Sequence, residues 1–295
     1  MLATRYISGD LIGKGSFGKV YRCVDLQNQG APLAIKVMSK YRPYESAATT
    51  ITKIDNELRA LKIMSRCKYV ARFIDSYEDE DSVKIVMEYC RGGDLNNYVE
   101  KYGTLTEPQL AAVAYQVLTM LKYCHEYGIV FADIKPANFC LCDPSPNALD
   151  LKAIDFGCTR HEVGRSMVGT PAFMSPEAFA RNFSYKTDIW SLGVTLYWLY
   201  TMRFPYSTND TLAPMDVMAL SEIINETPFS LHRLFSLSPL GFDFITACMD
   251  KKERTRLSVD QALMHPWIKS RARPLCEANR STAARAPPLC EANRN

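Results

Sequence analysis

The sequence predicts an α+β chain of two unequal lobes: a small β-rich N-terminal lobe with one main helix, and a larger, mostly helical C-terminal lobe. Two observations carry this. Short β-like runs bounded by glycine and acidic turns crowd the first third of the chain, with a single helical pattern among them. From Asp94 onward, helical periodicity and helix caps dominate instead. A length of 295 residues suffices for two modest domains or one bilobal unit with a large core. A formal charge of +3, from 35 basic and 32 acidic residues, gives no overall field for nucleic acid or an anionic membrane.

Tyr6 to Val24 contains Gly13-Lys14-Gly15-Ser16-Phe17-Gly18-Lys19-Val20, glycines between two β-like runs. This is a hairpin context, not the strand-to-helix context of a dinucleotide fold. Such a loop closes its backbone amides over phosphates, with Phe17 at the tip shielding them from water; taken alone it is equally a tight hairpin. Leu33 to Val37 alternates as a strand and carries Lys36 among apolar neighbours, where an ammonium needs an anionic partner unless it faces solvent. Tyr41 to Thr50 reads as a loop. From Ile51 the pattern turns helical, with Ile51, Ile54, Leu58 and Leu61 on one stripe and Glu57 beside it. Glu57 is a candidate partner for Lys36, or else half of a surface pair with Lys53 worth ~0.3–0.5 kcal/mol. Phe73 to Glu88 supplies two more strands around the acidic turn Glu78 to Asp81, and the lobe boundary falls at Arg91-Gly92-Gly93-Asp94.

In the second lobe, Thr106 caps a predicted helix over Glu107 to Tyr127, with Pro108 in its first turn and Gly128 at its stop; His125 reads as a core or capping residue. The stretch Phe131 to Gly157 sets Asp133, Lys135, Asn138 and Asp155 in loops beside apolar segments. Each half is explicable as a turn. Together they supply carboxylates, an amide and an ammonium suited to a metal phosphate and a hydroxyl. Cys158 to Gly169 reads as a mobile loop. Asp188 then opens an apolar helix, Ile189 to Tyr200, hydrophobic all round and too short to cross a bilayer, so no membrane insertion is expected. Met215 to Glu226, Leu240 to Met249 and Ser258 to Met264 are further helices. Beyond them, residues 271–295 repeat Pro-Leu-Cys-Glu-Ala-Asn-Arg in a low-complexity tail expected to be flexible. The ten cysteines form no C-x-x-C pair, and with no signal-like N-terminus the thiols are expected reduced and the protein cytoplasmic, nuclear access left open.

In this order and spacing, the glycine loop, the strand lysine, the helix glutamate, D-x-K-P-x-N and Asp155-Phe156-Gly157 resemble a eukaryotic protein kinase catalytic domain, from about Tyr6 to Ile268. The resemblance implies a catalytic domain at 1–270, with an N-lobe to about 87, a hinge at 88–93 and a C-lobe at 94–270, and implies ATP and Mg2+ as cofactors. By it, Gly13, Lys14, Gly15, Ser16, Phe17, Gly18 and Val20 cover the nucleotide. Ala34, Met87 as gatekeeper, Glu88 and Cys90 in the hinge, Asp94 near the ribose and Cys140 complete that site. Lys36 binds the α/β-phosphates and Glu57 holds it; Asp133 accepts the hydroxyl proton, Lys135 contacts the γ-phosphate, and Asn138 and Asp155 ligate magnesium. Glu177 matches a residue that pairs with a late arginine, here Arg256. Lys135 two places after Asp133, with Thr170 before Pro171, is similar to serine/threonine kinases, so the expected partner is a protein substrate with a Ser/Thr acceptor.

Arg256-Leu257-Ser258 followed by Ala262 to Trp267 looks most like the calcium/calmodulin-dependent group, although no calcium-loop motif is present and calcium control needs sequence absent here; a regulatory partner is left open and unidentified. One departure stands out: Phe131-Ala132 replaces the usual His-Arg. Phe131 is expected to pack with Leu61, Phe73, Phe156 and Asp188. Ala132 removes a clamp for a phosphorylated loop, so phosphate on Thr159 or Ser166 would meet only Arg160 or Arg165. Ala137, where many basophilic kinases carry glutamate, removes the ground for a basic substrate motif. The leading reading is an active serine/threonine kinase; the alternative is a pseudokinase or nucleotide-binding scaffold. A small-molecule kinase is disfavoured by the peptide-docking segment Gly169 to Glu177.

Overall fold

The computed structural model of the chain describes residues 5–15, 18–28, 32–144, 149–160, 168–206 and 217–272. Five strands form one antiparallel sheet: β1 (Tyr6–Gly15), β2 (Gly18–Asp25), β3 (Leu33–Ser39), β4 (Phe73–Glu78) and β5 (Ser82–Glu88), in the order β1-β2-β3-β5-β4. Gly18 opens β2 where a Cβ would lie 2.3 Å from the Val37 carbonyl oxygen, so only glycine lets the hairpin pass this close to β3. In register, Lys36 lies between Val20 on β2 and Ile85 on β5, which centres it in the sheet.

Helix α1 (Ala47–Met64) begins before the expected Ile51, because Ser46 caps it by accepting from the Thr49 N–H at 3.1 Å and Thr50 is already buried. Its buried stripe is Thr50, Ile54, Glu57, Leu61 and Met64, which turns Glu57 inward. Lys53 pairs with Glu45 at 2.6 Å instead of Glu57.

The larger part is helical: α2 (Leu95–Tyr102), α3 (Glu107–Glu126), α4 (Pro176–Phe179), α5 (Tyr185–Thr201), α6 (Val217–Glu226), α7 (Pro239–Cys248) and α8 (Val259–Met264), with a two-stranded ribbon of β6 (Phe139–Leu141) and β7 (Leu151–Ala153). Gly128 stops the α3 segment with φ +72°. Asp188 does not open α5; Ser184 caps it, receiving the Lys186 N–H at 3.1 Å, and Asp188 sits inside the first turn with its side chain turned into the core. The helix is buried on nearly every side, as its uniform hydrophobicity requires.

Two polar knots fasten this lobe. Glu107 accepts from the Ser238 N–H at 3.0 Å and from Trp267 Nε1 at 2.8 Å, joining α3 to both α7 and the last segment. Arg256, fully buried, meets Glu177 through two parallel bonds of 2.5 and 2.9 Å, donates to the Asp250 and Lys186 carbonyls at 2.9 Å each, and lies 5.1 Å from the Trp190 ring centre. One continuous apolar cluster runs from Ala34, Met38 and Ile85 through α3 and α5 to Trp267, so the two lobes share a core. Among the described residues no helix is long and apolar enough to cross a membrane. Ser16, Phe17, Arg165, Ser166, Met215 and the tail from 273 lie outside the described residues.

Candidate active site

Lys36 is 4% exposed, and its Nζ donates to Glu57 Oε1 on α1 and to Asp155 Oδ1 at 2.9 Å. Burial works against the ammonium, but the two carboxylates overcome it and raise its pKa above the ordinary lysine value. Burial pushes the Glu57 carboxyl upward, against the pull of Lys36. Asp155 is half-buried, which works against its charge, yet Lys36 and the Gly157 N–H, at 2.9 Å from the same Oδ1, lower its pKa and keep it anionic. One cation thus ties α1, β3 and the loop after β7 together.

A second cluster forms around Asp133. Its Oδ1 accepts from the Thr170 N–H at 3.0 Å and the Thr170 hydroxyl at 2.8 Å; its Oδ2 accepts from Asn138 Nδ2 at 3.0 Å and pairs with Lys135 Nζ at 2.8 Å. Lys135 Nζ also donates to Thr170 Oγ1 at 2.7 Å, closing a triangle of ammonium, hydroxyl and carboxylate. The Asn138 amide further donates to the Asp133 carbonyl at 2.8 Å. Its nitrogen is thereby committed to Asp133, and the orientation of its carbonyl oxygen follows.

Below this loop Asp188, wholly buried, accepts the Ala132 N–H at 2.8 Å, the Phe131 N–H at 3.0 Å and a His125 Nε2 contact at 2.9 Å. His125 is therefore a core residue with a carboxylate partner. Phe131 meets Phe156 edge-on at 5.2 Å and Phe139 at 6.1 Å; its link to Asp188 is through its backbone, not its ring. Ala132 holds φ +63° and faces Gly169, at φ +96°, where a Cβ would lie 2.5 Å from the Ala132 carbonyl oxygen. Gly169 is required for the loop carrying Thr170 to reach Asp133.

Of the residues expected to hold a nucleotide, Ala34 and Met87 lie on the neighbouring strands β3 and β5, Glu88 ends β5, and Cys90 and Asp94 follow it. Ala34 and Met87 face each other in register and are buried. The Glu88 carboxylate is engaged by Lys152 Nζ at 2.8 Å and by the Arg72 N–H at 3.1 Å, so a ligand here would meet backbone. Asp94 caps α2, accepting from the Asn97 N–H at 2.9 Å, and bridges Cys140 in an isolated backbone pair. Burial pushes the Cys140 thiol up to about 12.

The model of the protein kinase domain matches residues 6–268. The chain belongs to the protein kinase family. CDPK-related kinase 5 of Arabidopsis thaliana is 34% identical over 277 residues, covering 90% of this chain and 44% of the relative. Calcium-dependent protein kinase 12 of Oryza sativa subsp. japonica is 33% identical over 262 residues, covering 88% and 48%. The chain thus spans less than half the length of these two curated relatives.

Within this kinase domain the structure adds residues that the sequence motifs did not single out for these roles: Thr170 as a clamp on Asp133, Gly169 as the close approach behind it, and Lys152 as the cation on Glu88. It also corrects one. Thr159 is buried and its hydroxyl donates to the Phe156 carbonyl at 2.7 Å, so it is a folded-in turn residue and not an accessible phosphate acceptor. The Arg160 guanidinium lies half-buried 5.2 Å from the Phe183 ring centre, and the Ala132 methyl packs in the same apolar cluster with Val130, Met174 and Ala178.

Proposed function

We propose that the chain is a Mg-ATP-dependent serine/threonine protein kinase that transfers the γ-phosphate to protein hydroxyls. The observation that carries this is a pair of neighbouring clusters: Lys36 bridging Glu57 and Asp155, and Asp133 with Lys135 converging on Thr170, with the Lys135 ammonium acting on Asp155 as well. In this reading Lys36 binds the α/β-phosphates, Glu57 fixes it, Lys135 neutralises the γ-phosphate, and Asp133 orients the acceptor hydroxyl and takes its proton. The end of the hairpin where Gly15 of β1 meets Gly18 of β2 covers the phosphates. Ala34, Met87, the backbone of Glu88 to Cys90, Asp94 and Cys140 surround the base and ribose.

The donor set fits magnesium. Asp155 is a half-buried carboxylate held anionic, and Asn138 offers an amide oxygen, its nitrogen being spent on Asp133; hard oxygen donors in small number suit a metal that also takes phosphate oxygens. When bound, magnesium would neutralise the charge that develops on the transferring group. Phe131-Ala132 does not weigh toward a pseudokinase here, because Asp188 anchors both backbone amides and Asp133 keeps its partners. The test is labelled ATP with magnesium and a generic protein acceptor. Phosphoserine or phosphothreonine should form with wild type and fall by roughly 10²–10⁴-fold with Asp133→Asn. Nucleotide binding without transfer would establish the scaffold instead.

A further inference from the structure

Outside these clusters, one pair of nucleophilic side chains is held together by the fold. Cys90 lies just past β5 and Cys142 just past β6. Between them the Arg91 N–H donates to the Cys142 carbonyl at 3.1 Å, the Gly92 N–H to the Leu141 carbonyl at 2.9 Å, and the Leu141 N–H to the Gly93 carbonyl at 2.8 Å. These bonds zip the linker from β5 onto β6. The approach is close enough that a Cβ on Gly92 would lie 2.5 Å from the Asp143 carbonyl oxygen and from Leu141 Cβ. The Arg91 pairing sets Cys90 beside Cys142; both are half-buried free thiols within electrostatic reach of each other and of the Lys152 ammonium.

We propose that Cys90 and Cys142 form a reversible disulfide under peroxide, a redox staple between the interlobe linker and β6. Either half-buried thiol can open the reaction, and Cys90 is taken first. Its thiolate displaces hydroxide from hydrogen peroxide as the O–O bond breaks; the hydroxide takes the proton Cys90 lost and leaves as water, and Cys90 becomes a sulfenic acid. The Cys142 sulfur then attacks the Cys90 sulfur, the S–O bond breaks, and that oxygen departs with the Cys142 proton as a second water. Two thiols lose two electrons and two protons, and one peroxide becomes two waters. Bridging brings the sulfurs to about 2 Å, which draws the linker toward β6. A consequence for nucleotide binding rests on the proposed function, in which Glu88 to Cys90 hold the base.

The experiment treats the full chain with stoichiometric hydrogen peroxide. Intact mass should fall by two hydrogens and recover with dithiothreitol, and non-reducing peptide mapping should join Cys90 to Cys142. Cys142→Ser, or Cys142→Ala should serine disturb folding, should abolish the mass loss and leave Cys90 reactive to a sulfenic-acid probe. An unchanged mass, or a bridge to Cys140 or Cys158, overturns the proposal. In parallel, the ATP KM of the bridged protein should rise by about tenfold, since small misplacements at a binding edge are costly; a bridged protein with unchanged KM overturns the switch. A chain with no transfer activity fails the kinase reading while the mass measurements still decide the disulfide.

Discussion

The Lys36–Glu57 and Arg256–Glu177 pairs are both closed off from solvent, yet they are satisfied in different ways. Arg256 is held within the helical lobe, by Glu177 through two parallel bonds and by the Asp250 and Lys186 carbonyls. Lys36 reaches from the sheet to α1 and to Asp155 after β7, holding elements that are far apart in sequence. A rigid guanidinium fork whose partners sit in one lobe locks a fold, whereas a lysine point charge shared by two carboxylates can be redirected toward incoming phosphate. Burial of an ion pair therefore says little about its role until its partners are placed on their elements.

The largest effect is expected at the cleft. Lys36→Met should lower transfer by roughly 10²–10³-fold, the loss typical of removing one aimed charge donor. The fold should persist, because burial already pushes Glu57 toward its neutral form and it takes up a proton once Lys36 is gone. Circular dichroism and steady-state kinetics on one preparation check both halves. Within the same cluster, Asp155→Asn should lose more activity than Asn138→Ala at saturating ATP, and added magnesium should rescue only the second; equal, unrescued losses would remove the division between carboxylate and amide.

Next comes the fold-locking pair. Arg256→Met strands Glu177 among buried partners and should cost roughly 3–5 kcal/mol. At about 2–4 °C per kcal/mol for a chain of this size, Tm should drop by about 10 °C, with kcat per folded molecule nearly unchanged. Acid sharpens the point. Arg256 holds the Glu177 pKa below its usual value although burial opposes it, so the pair's stability is fully present above the unfolded glutamate value of about 4.3. It is lost as pH falls through the lower folded value, and the Tm gap between wild type and Arg256→Met should narrow as pH drops below about 4.

Much of this contrast was legible in the residues. Lys36, Glu57, Asp133, Asn138 and Asp155 announce themselves through local motifs, and Glu57 through its place beside a helical stripe. The caps Ser46 and Ser184 stand outside the apolar periodicity, so that pattern alone starts α1 late and makes Asp188 an opening residue, whereas in the structure it is a core anchor. Thr170 on Asp133, Gly169 against Ala132 and Cys90 against Cys142 link segments distant in sequence, and no periodicity encodes such contacts.

The smallest effect concerns Ala132. Its methyl packs in an apolar cluster, so no arginine waits there for a loop phosphate. Phosphatase treatment should therefore change turnover by less than about fivefold, the equivalent of an exposed pair worth up to ~1 kcal/mol. Intact mass should confirm that Ser166 is bare, and a larger loss restored on rephosphorylation would show that another cation has replaced the clamp.

The division between the two pairs is tested most directly by thermal unfolding of wild type, Lys36→Met and Arg256→Met with and without saturating Mg-ATP. A ligand bound only by the folded state raises Tm by mass action. Wild type and Arg256→Met should show equal upward shifts, the latter from a lower start, while Lys36→Met should start near wild type and lose most of its shift. A full shift in Lys36→Met, or its loss in Arg256→Met, would contradict the assignment of one pair to nucleotide and the other to the fold.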